Sequence, residues 1–456
     1  IYLPMSVARI NKAGEIKLPT HLNFLTIDNS YGDMPSEVPD EVIPHILKAR
    51  YDAPTAPGPL VWVYPWDEYH DWAYTQQDRL PEIYYGDWLI RQAINNGFPL
   101  NTIVSTGSFQ SALSNKPGMF NGSILLSIVP AAGSPLEQRL ISYVENGGRL
   151  MIYGPADHAG KAFLDFMNLS NTTPLEGEFT IEGDMSADQL TKKYPLHLRH
   201  LALFSGGGIS TTLLDAKGPG TKVIATVRQG TNQRTVAWSR SLPAWHGGKL
   251  VYVRGTNSST FQGGKLLTPD DPAKWFTGPL LLRYALTAFD FNYGIDKESP
   301  DIKNPILTIS RSNNGFFFSG YSPNTTVLQK FRLPQGAPVL TGFETRLKNG
   351  FSTYSMPTAW HKECRIFVEQ AEGILSCKEV YSGYREISRR LQLTGLQKAT
   401  VRIYPGEKIS AADLQVFLNS SYPWKTGRIP FREENNPAFG KCYIVENITG
   451  ALGIAW

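Results

Sequence analysis

One run of the chain gathers side chains suited to sugar chemistry: Trp62-Val63-Tyr64-Pro65-Trp66-Asp67-Glu68-Tyr69-His70-Asp71-Trp72. Flat aromatic rings stack on the C–H faces of pyranoses, while carboxylates and imidazole bind their hydroxyls. The run leaves the end of an apolar segment, residues 60–64, that reads as a strand. Open α/β sheets bind ligands outside the carboxyl ends of their strands. Trp62, Trp66, Asp67, Glu68 and Trp72 are therefore candidate substrate-binding residues. The same rings would also suit an interface, because interfaces are rich in aromatics. Asp67 and Glu68 are adjacent, so on an extended loop they point apart. A glycosidase needs two carboxyls about 5–10 Å apart across the sugar, usually from distant parts of a chain. No catalytic residue is assigned on that basis.

Other constellations carry less. His197-Leu198-Arg199-His200 has the i,i+3 spacing of a helical metal pair, but no carboxylate pattern completes a ligand set and H-E-x-x-H is absent. Ordinary histidines near a strand are the better reading, and no metal or other cofactor is expected. Gly206-Gly207-Gly208 and Gly263-Gly264-Lys265 both lack the residues that complete a phosphate loop. The tight turns at Pro130-Ala131-Ala132-Gly133 and Tyr153-Gly154-Pro155-Ala156 hold no nucleophile, and no G-x-S-x-G occurs. Amidotransferase and α/β-hydrolase chemistry are thereby excluded. Cys364, Cys377 and Cys442 are an odd count, which argues against a disulfide scaffold. Cys364 and Cys377 flank one apparent hairpin whose register does not face them, so no bridge is implied. Trp360-His361-Lys362-Glu363-Cys364-Arg365 opens a strand and reads as structural.

The elements that must position these residues follow a regular order. Residues 60–64, 102–104, 123–129 and 150–153 read as strands. Between them lie a helix over 83–96 and a second one opened by Ser134-Pro135-Leu136-Glu137 and stopped at Gly147-Gly148. Strands separated by helices of this size mean parallel crossovers, hence a doubly wound sheet. Residues 222–228, 234–239 and 249–254 shift to strand patterning, and a helix returns over 275–289. Beyond Pro300 short strands with Gly, Asn and Pro punctuation predict an all-β sandwich over 303–456. Residues 1–54 hold one buried strand (21–28), a polar loop and a helix over 40–51 with Val42, Ile43, Ile46, Leu47 and Ala49 on one face. One such unit cannot bury both faces of its strand, and the proline-rich stretch 53–59 reads as a linker.

Composition agrees with several folded domains. The 456 residues are 41% hydrophobic and 18% charged, which excludes a disordered chain. The net charge of +4 comes from 44 basic and 40 acidic residues without a basic run, so neither nucleic acid nor a membrane surface is an expected partner. The longest apolar stretch, 124–132, contains Ser127 and Pro130 and is far short of the ~20 residues that span a bilayer. A soluble protein, bacterial cytoplasmic or secreted, is expected. The chain begins with Ile1 and shows no signal core, which suggests a fragment or processed product.

Residues 88–153 resemble a known module. A helix ends in Gly97, a strand follows over 100–106, a buried strand ends at Pro130, and then comes Leu140-Ile141-Ser142-Tyr143-Val144-Glu145-Asn146-Gly147-Gly148-Arg149-Leu150. This resembles the trimerisation domain of family forty-two β-galactosidases, an amidotransferase-like fold that follows a catalytic (β/α)8 barrel and precedes a small β-domain. The resemblance implies a terminal barrel unit over 1–54, an amidotransferase-like domain over 58–292 and a β-sandwich over 303–456. It implies catalytic carboxylates outside this chain. It also implies that Asp28, Asn29, Tyr31 and Asp33, following the last barrel strand, line the substrate. The expected function is a non-catalytic C-terminal portion of a glycoside hydrolase. Its expected partners are an oligo- or polysaccharide, the N-terminal catalytic barrel and further copies of the chain. The alternative is a self-contained glycan-binding protein or glycosidase using the 62–72 loop with Asp28 and Asp33.

Overall fold

The computed structural model describes residues 1–21, 37–183, 195–215, 217–257, 260–262, 265–268, 271–418 and 427–456. Five strands form its centre: Leu60–Tyr64, Thr102–Ser105, Ile124–Ile128, Arg149–Tyr153 and Lys249–Val253, all mutually parallel. Numbered along the chain, they lie in the order 2-1-3-4-5, the flavodoxin-type order, whose crevice opens where the direction of winding reverses. Apolar β-branched and aromatic residues explain the strands, and the alternation in Leu60–Tyr64 sends side chains to both faces. Leu60, Trp62 and Tyr64 meet one helical layer with Tyr69, Trp72, Tyr85, Leu89 and Leu282. Val61 and Val63 meet the other, with Phe109, Leu136, Leu140 and Val144.

The helix Pro135–Glu145 shows why the resembling run looks as it does. Ser134 Oγ accepts from the Glu137 amide, and the Glu137 carboxylate accepts from the Gly133 amide. At the far end the Gly148 N–H reaches the Tyr143 carbonyl and the Gly147 N–H the Val144 carbonyl, with Gly147 at φ +93°. That is the Schellman stop, which requires a left-handed residue after the cap. The Glu-Asn-Gly-Gly signature is thus a chain-reversal device.

Several expectations are corrected. Lys249–Val253 belongs to the parallel sheet, and the two strands before it extend the same sheet antiparallel, which reaches 11 strands among the described residues. Within residues 1–54, Ala8–Ile10 pairs in parallel with Thr102–Ser105. The helix of this segment is Glu37–Tyr51; Ala49 is buried, but Ile43 and Leu47 are 48% and 60% exposed. The β-region, expected as a sandwich, is one continuous antiparallel network of 13 strands among the described residues. Arg390–Ile403 and Gly440–Ala455 are long strands, bulged where they pair, and each pairs along several neighbours. Cys364 and Cys377 do not flank a hairpin: Ala359–Glu369 and Gly373–Glu379 both pair with Arg390–Ile403. All three cysteines are buried free thiols. The hydrophobic core runs unbroken from the parallel sheet into Leu307, Ile309, Phe316 and Phe318 of the β-region.

Candidate functional site

The segment 62–72 is not a loop. It is the end of the strand Leu60–Tyr64 followed at once by the helix Trp66–Thr75, because Pro65 suits the residue before a first turn and Asp67 and Glu68 suit that turn's positive end. An aromatic series climbs out of the sheet here. Trp62 and Tyr64 have ring centres 4.6 Å apart, Tyr64 and Trp66 5.8 Å, and Trp66 and His70 4.4 Å. Its outer end is open: Trp66 is 51% exposed, and His70 Nδ1 lies 2.8 Å from the Trp66 carbonyl. Its inner end is fixed, since Trp62 Nε1–H donates to the Tyr153 hydroxyl at 2.9 Å.

The helical turn sends the two carboxylates to different neighbours. Asp67 is exposed beside Gly107. Glu68 is half-buried and accepts from the Thr106 hydroxyl at 2.8 Å, in the first turn of the helix Thr106–Asn115. Burial raises its carboxyl above the usual range, against the pull of that hydrogen bond. Trp72 departs from the substrate-binding expectation: it is 3% exposed and sits under the Arg79 guanidinium, 3.5 Å from the ring centre. Arg79 in turn holds Glu82 with two 2.8 Å bonds, and His158 Nδ1 lies 2.9 Å from the same carboxylate. Burial alone would raise Glu82; the bonds and charges of Arg79 and His158 outweigh it and hold the carboxyl below its usual range.

The crevice between these groups and the carboxyl ends of the strands is filled. Tyr69, Tyr85 and Tyr153 leave a cavity of about 10 Å³ beside Glu82 and Gly154, room for about one water. Burial raises all three phenols, so they act as hydrogen-bonding groups and not as phenolate bases. No sugar ring enters such a space. Of the expected substrate residues, the structure brings Trp66, Asp67 and Glu68 to one edge, turns Trp62 inward and buries Trp72. Asp28, Asn29, Tyr31 and Asp33 lie outside the described residues.

A second cluster carries no signal in the sequence because its members are up to 309 positions apart. His361 Nε2–H donates to Asp52 Oδ2 at 2.9 Å, and Ser319 Oγ lies 2.7 Å from His361 Nδ1. These are the residue types of a hydrolytic triad, which is recognised by geometry and roles. A nucleophile must also be reachable. Ser319 is 0% exposed, and the His361 ring is stacked between Tyr2 at 4.2 Å and Phe317 at 5.6 Å. Lys48 Nζ completes the charge balance at Asp52. The cluster is a clasp that fixes the first fifty residues to the β-region.

The remaining motifs are structural. His197 and His200 lie on a strand, with His197 exposed and His200 buried. Burial and the nearby Arg254 charge push His200 down to about 3, and its Nε2–H donates to the Gly207 carbonyl. Arg254 binds the carbonyls of Ser205, Gly207 and Gly208, so the glycine run wraps a buried guanidinium. Among the described residues no group of three or more His, Cys, Asp or Glu is placed to hold a metal ion. None of the helices there is long and apolar enough to cross a membrane.

No family model matches the chain, and no curated protein matches it. Among solved structures it is similar to the exo-β-1,4-mannosidase Op5Man5 from Opitutaceae bacterium strain TAV5, at 12% identity and a TM-score of 0.29. That alignment covers 47% of this chain and 33% of the mannosidase, so the chain spans about a third of its length. A likeness of this size carries no argument about fold or activity.

Proposed function

We propose that this chain is the supporting, non-hydrolytic portion of a carbohydrate-active glycoside hydrolase, holding a catalytic (β/α)8 barrel and adding a ledge to the rim of its glycan site. The observation that carries the reading is the pairing of a filled crevice with an open aromatic edge. Tyr69, Tyr85 and Tyr153 occupy the space where a sheet of this order would take a ligand, while Trp66 and His70 stand outside it with Asp67. A ring half exposed at such an edge suits stacking on a sugar held by another surface. The apolar residues Ile43, Leu47 and Tyr51, all exposed on the helix Glu37–Tyr51, supply a face for such a surface. The resemblance of residues 88–153 to a trimerisation domain supports the same role and extends it to association between copies.

The test is to incubate the purified chain with aryl glycosides and to titrate it with oligosaccharides. The expected outcome is no turnover, together with weak glycan retention that Trp66→Ala reduces about two- to tenfold, one lost stacking ring being worth about 0.5–1.5 kcal/mol. Turnover that disappears in Asp67→Asn or Asp28→Asn would replace this reading with that of a self-contained glycosidase.

A further inference from the structure

The seam between the parallel sheet and the β-region holds two arginines whose acidic neighbours, Asp290 and Glu407, act on them through charge without a close ion pair. Arg149 opens the strand Arg149–Tyr153, and its guanidinium lies 5.0 Å over the Phe439 ring with Nη2 buried and unpartnered. Arg311 lies on the strand Ile306–Ser312, 5.6 Å over Phe316, and Nη1 reaches only the Ala438 carbonyl at 3.5 Å. Among the described residues neither has a carboxylate within ion-pair distance. Burial lowers both guanidinium groups from their usual values; the Arg149 charge lowers Arg311 further, while Asp290 beside Arg149 and Glu407 beside Arg311 pull the other way. An unpaired charge withdrawn from water is costly, and a ring face offsets only part of that.

Two spaces meet at Arg311. The inner one, about 10 Å³, is bordered by Arg149, Arg311 and Gln335, whose Oε1 is buried without a donor. One water there would satisfy Arg149 Nη2 and Gln335 Oε1 but would leave the charge in place. The outer space is about 240 Å³ and is lined by Ala56, Arg311, Asn314, Glu407, Gly440 and Lys441. It lies just below the range of about 300–1,000 Å³ typical of small-molecule sites. Its lining brings two cations and one carboxylate together, with Asn314 fixed by its amide to the carbonyls of Pro405 and Lys441.

We propose that this outer cavity binds a small hydroxylated oxyanion, its carboxylate or phosphate group on Arg311 and Lys441 and its hydroxyls toward Glu407. Arg149 stands behind Arg311 as a second positive charge. The ligand would also tie three parts of the chain, because the Thr55 and Ala56 amides bond the Arg311 carbonyl and the Ala438 carbonyl receives the Arg311 guanidinium. A planar guanidinium matches a carboxylate or a phosphate equally well, so the two sources must be separated by titration.

The experiment follows binding by calorimetry and thermal melting at constant ionic strength, using inorganic phosphate, glucuronate and neutral glucose on the full chain. Saturable binding of phosphate or glucuronate, with none of glucose, is expected, and whichever anion binds more tightly identifies the source. Arg311→Gln and Lys441→Gln should each weaken binding about tenfold or more, as expected for a lost bond to a charged group, while Arg311→Lys should retain part of it. Lys441 lies on the rim, so its variant reports on binding even if Arg311→Gln unfolds. Absence of saturable binding to either anion, or equal binding by the parent and Lys441→Gln, would overturn the proposal.

Discussion

Replacing Gly86 with alanine probes the filled crevice directly. Gly86 lies inside the helix Leu80–Asn95, where alanine is ordinarily better than glycine by about 1 kcal/mol. A methyl group here would lie 1.9 Å from Tyr69 Oη and 3.1 Å from Tyr69 Cζ. The hydroxyl must retreat by more than an ångström, yet Tyr69 is packed between Trp72 and Tyr64. Overpacking of this kind costs about 1–3 kcal/mol, and the backbone-held helix puts it near the upper end. Gly86→Ala should therefore lose about 2 kcal/mol net. Tyr69→Phe removes the colliding oxygen, so the double variant should return to within about 0.5 kcal/mol of the parent, a coupling of about 2 kcal/mol. Urea titration followed by tryptophan fluorescence measures all four proteins, with unchanged slopes as the control. If Gly86→Ala is as stable as the parent, or if the two changes are additive, the crevice is not packed as described.

Three further outcomes are expected. His361→Ala leaves the Asp52 carboxylate buried without its imidazole and should cost about 1–3 kcal/mol, with earlier proteolysis in residues 37–53. Gly122→Ala would set a methyl group 1.6 Å from the Ala438 carbonyl oxygen at a residue with φ +83°, so the strand pair Arg432–Asn436 and Gly440–Ala455 should lose its seat on the parallel sheet, seen as faster hydrogen exchange at 432–445. Burial opposes but does not cancel the lowering of Glu82 by Arg79 and His158, so its contribution is present above about pH 4.5 and lost as pH falls through the folded value. Glu82 chiefly raises His158 above 6.5, so that contribution is complete below about pH 6.5 and lost as pH rises through the folded value. The stability difference between the parent and Glu82→Gln should therefore be greatest between about pH 4.5 and pH 6.5 and shrink on either side, and urea midpoints whose difference does not shrink as the pH leaves that range would count against the pairing.

Local patterns made the parallel sheet legible. The alternation in Leu60–Tyr64, the Ser134-Pro135 start and the Gly147-Gly148 stop each act within a few residues, so their meaning survives without tertiary context. What could not be read depended on distant partners. The segment 62–72 has the composition of a binding loop, but the backbone bonds of a helix and the Arg79–Trp72 stack decide its form. Whether a tryptophan is ligand-facing or core is a question about its neighbours, and Trp66 and Trp72 have opposite answers six positions apart. The charged groups that matter at the seam, Arg149 and Arg311, sit at strand positions with no motif around them. The clasp of Asp52, Ser319 and His361 has no sequence spacing to betray it at all.

That clasp also sets a timetable for the chain's birth. Asp52 and His361 are separated by 309 positions. At ribosomal rates of about 5–20 residues per second, Asp52 waits roughly 15–60 s before its partner has been made. Hydrophobic collapse takes microseconds, so the waiting is long on the scale of every misstep available to the helix Glu37–Tyr51. In the folded chain Met5, Ala49 and Ala53 form a small cluster of their own, with Ile1, Tyr2 and Leu18 packed against it. A chaperone, or early docking of Ala8–Ile10 onto Thr102–Ser105 some 90 residues later, must hold the segment near its berth. Newly made chains should therefore be vulnerable at residues 37–53 until His361 is made, although in the finished protein that segment is fastened by buried polar bonds.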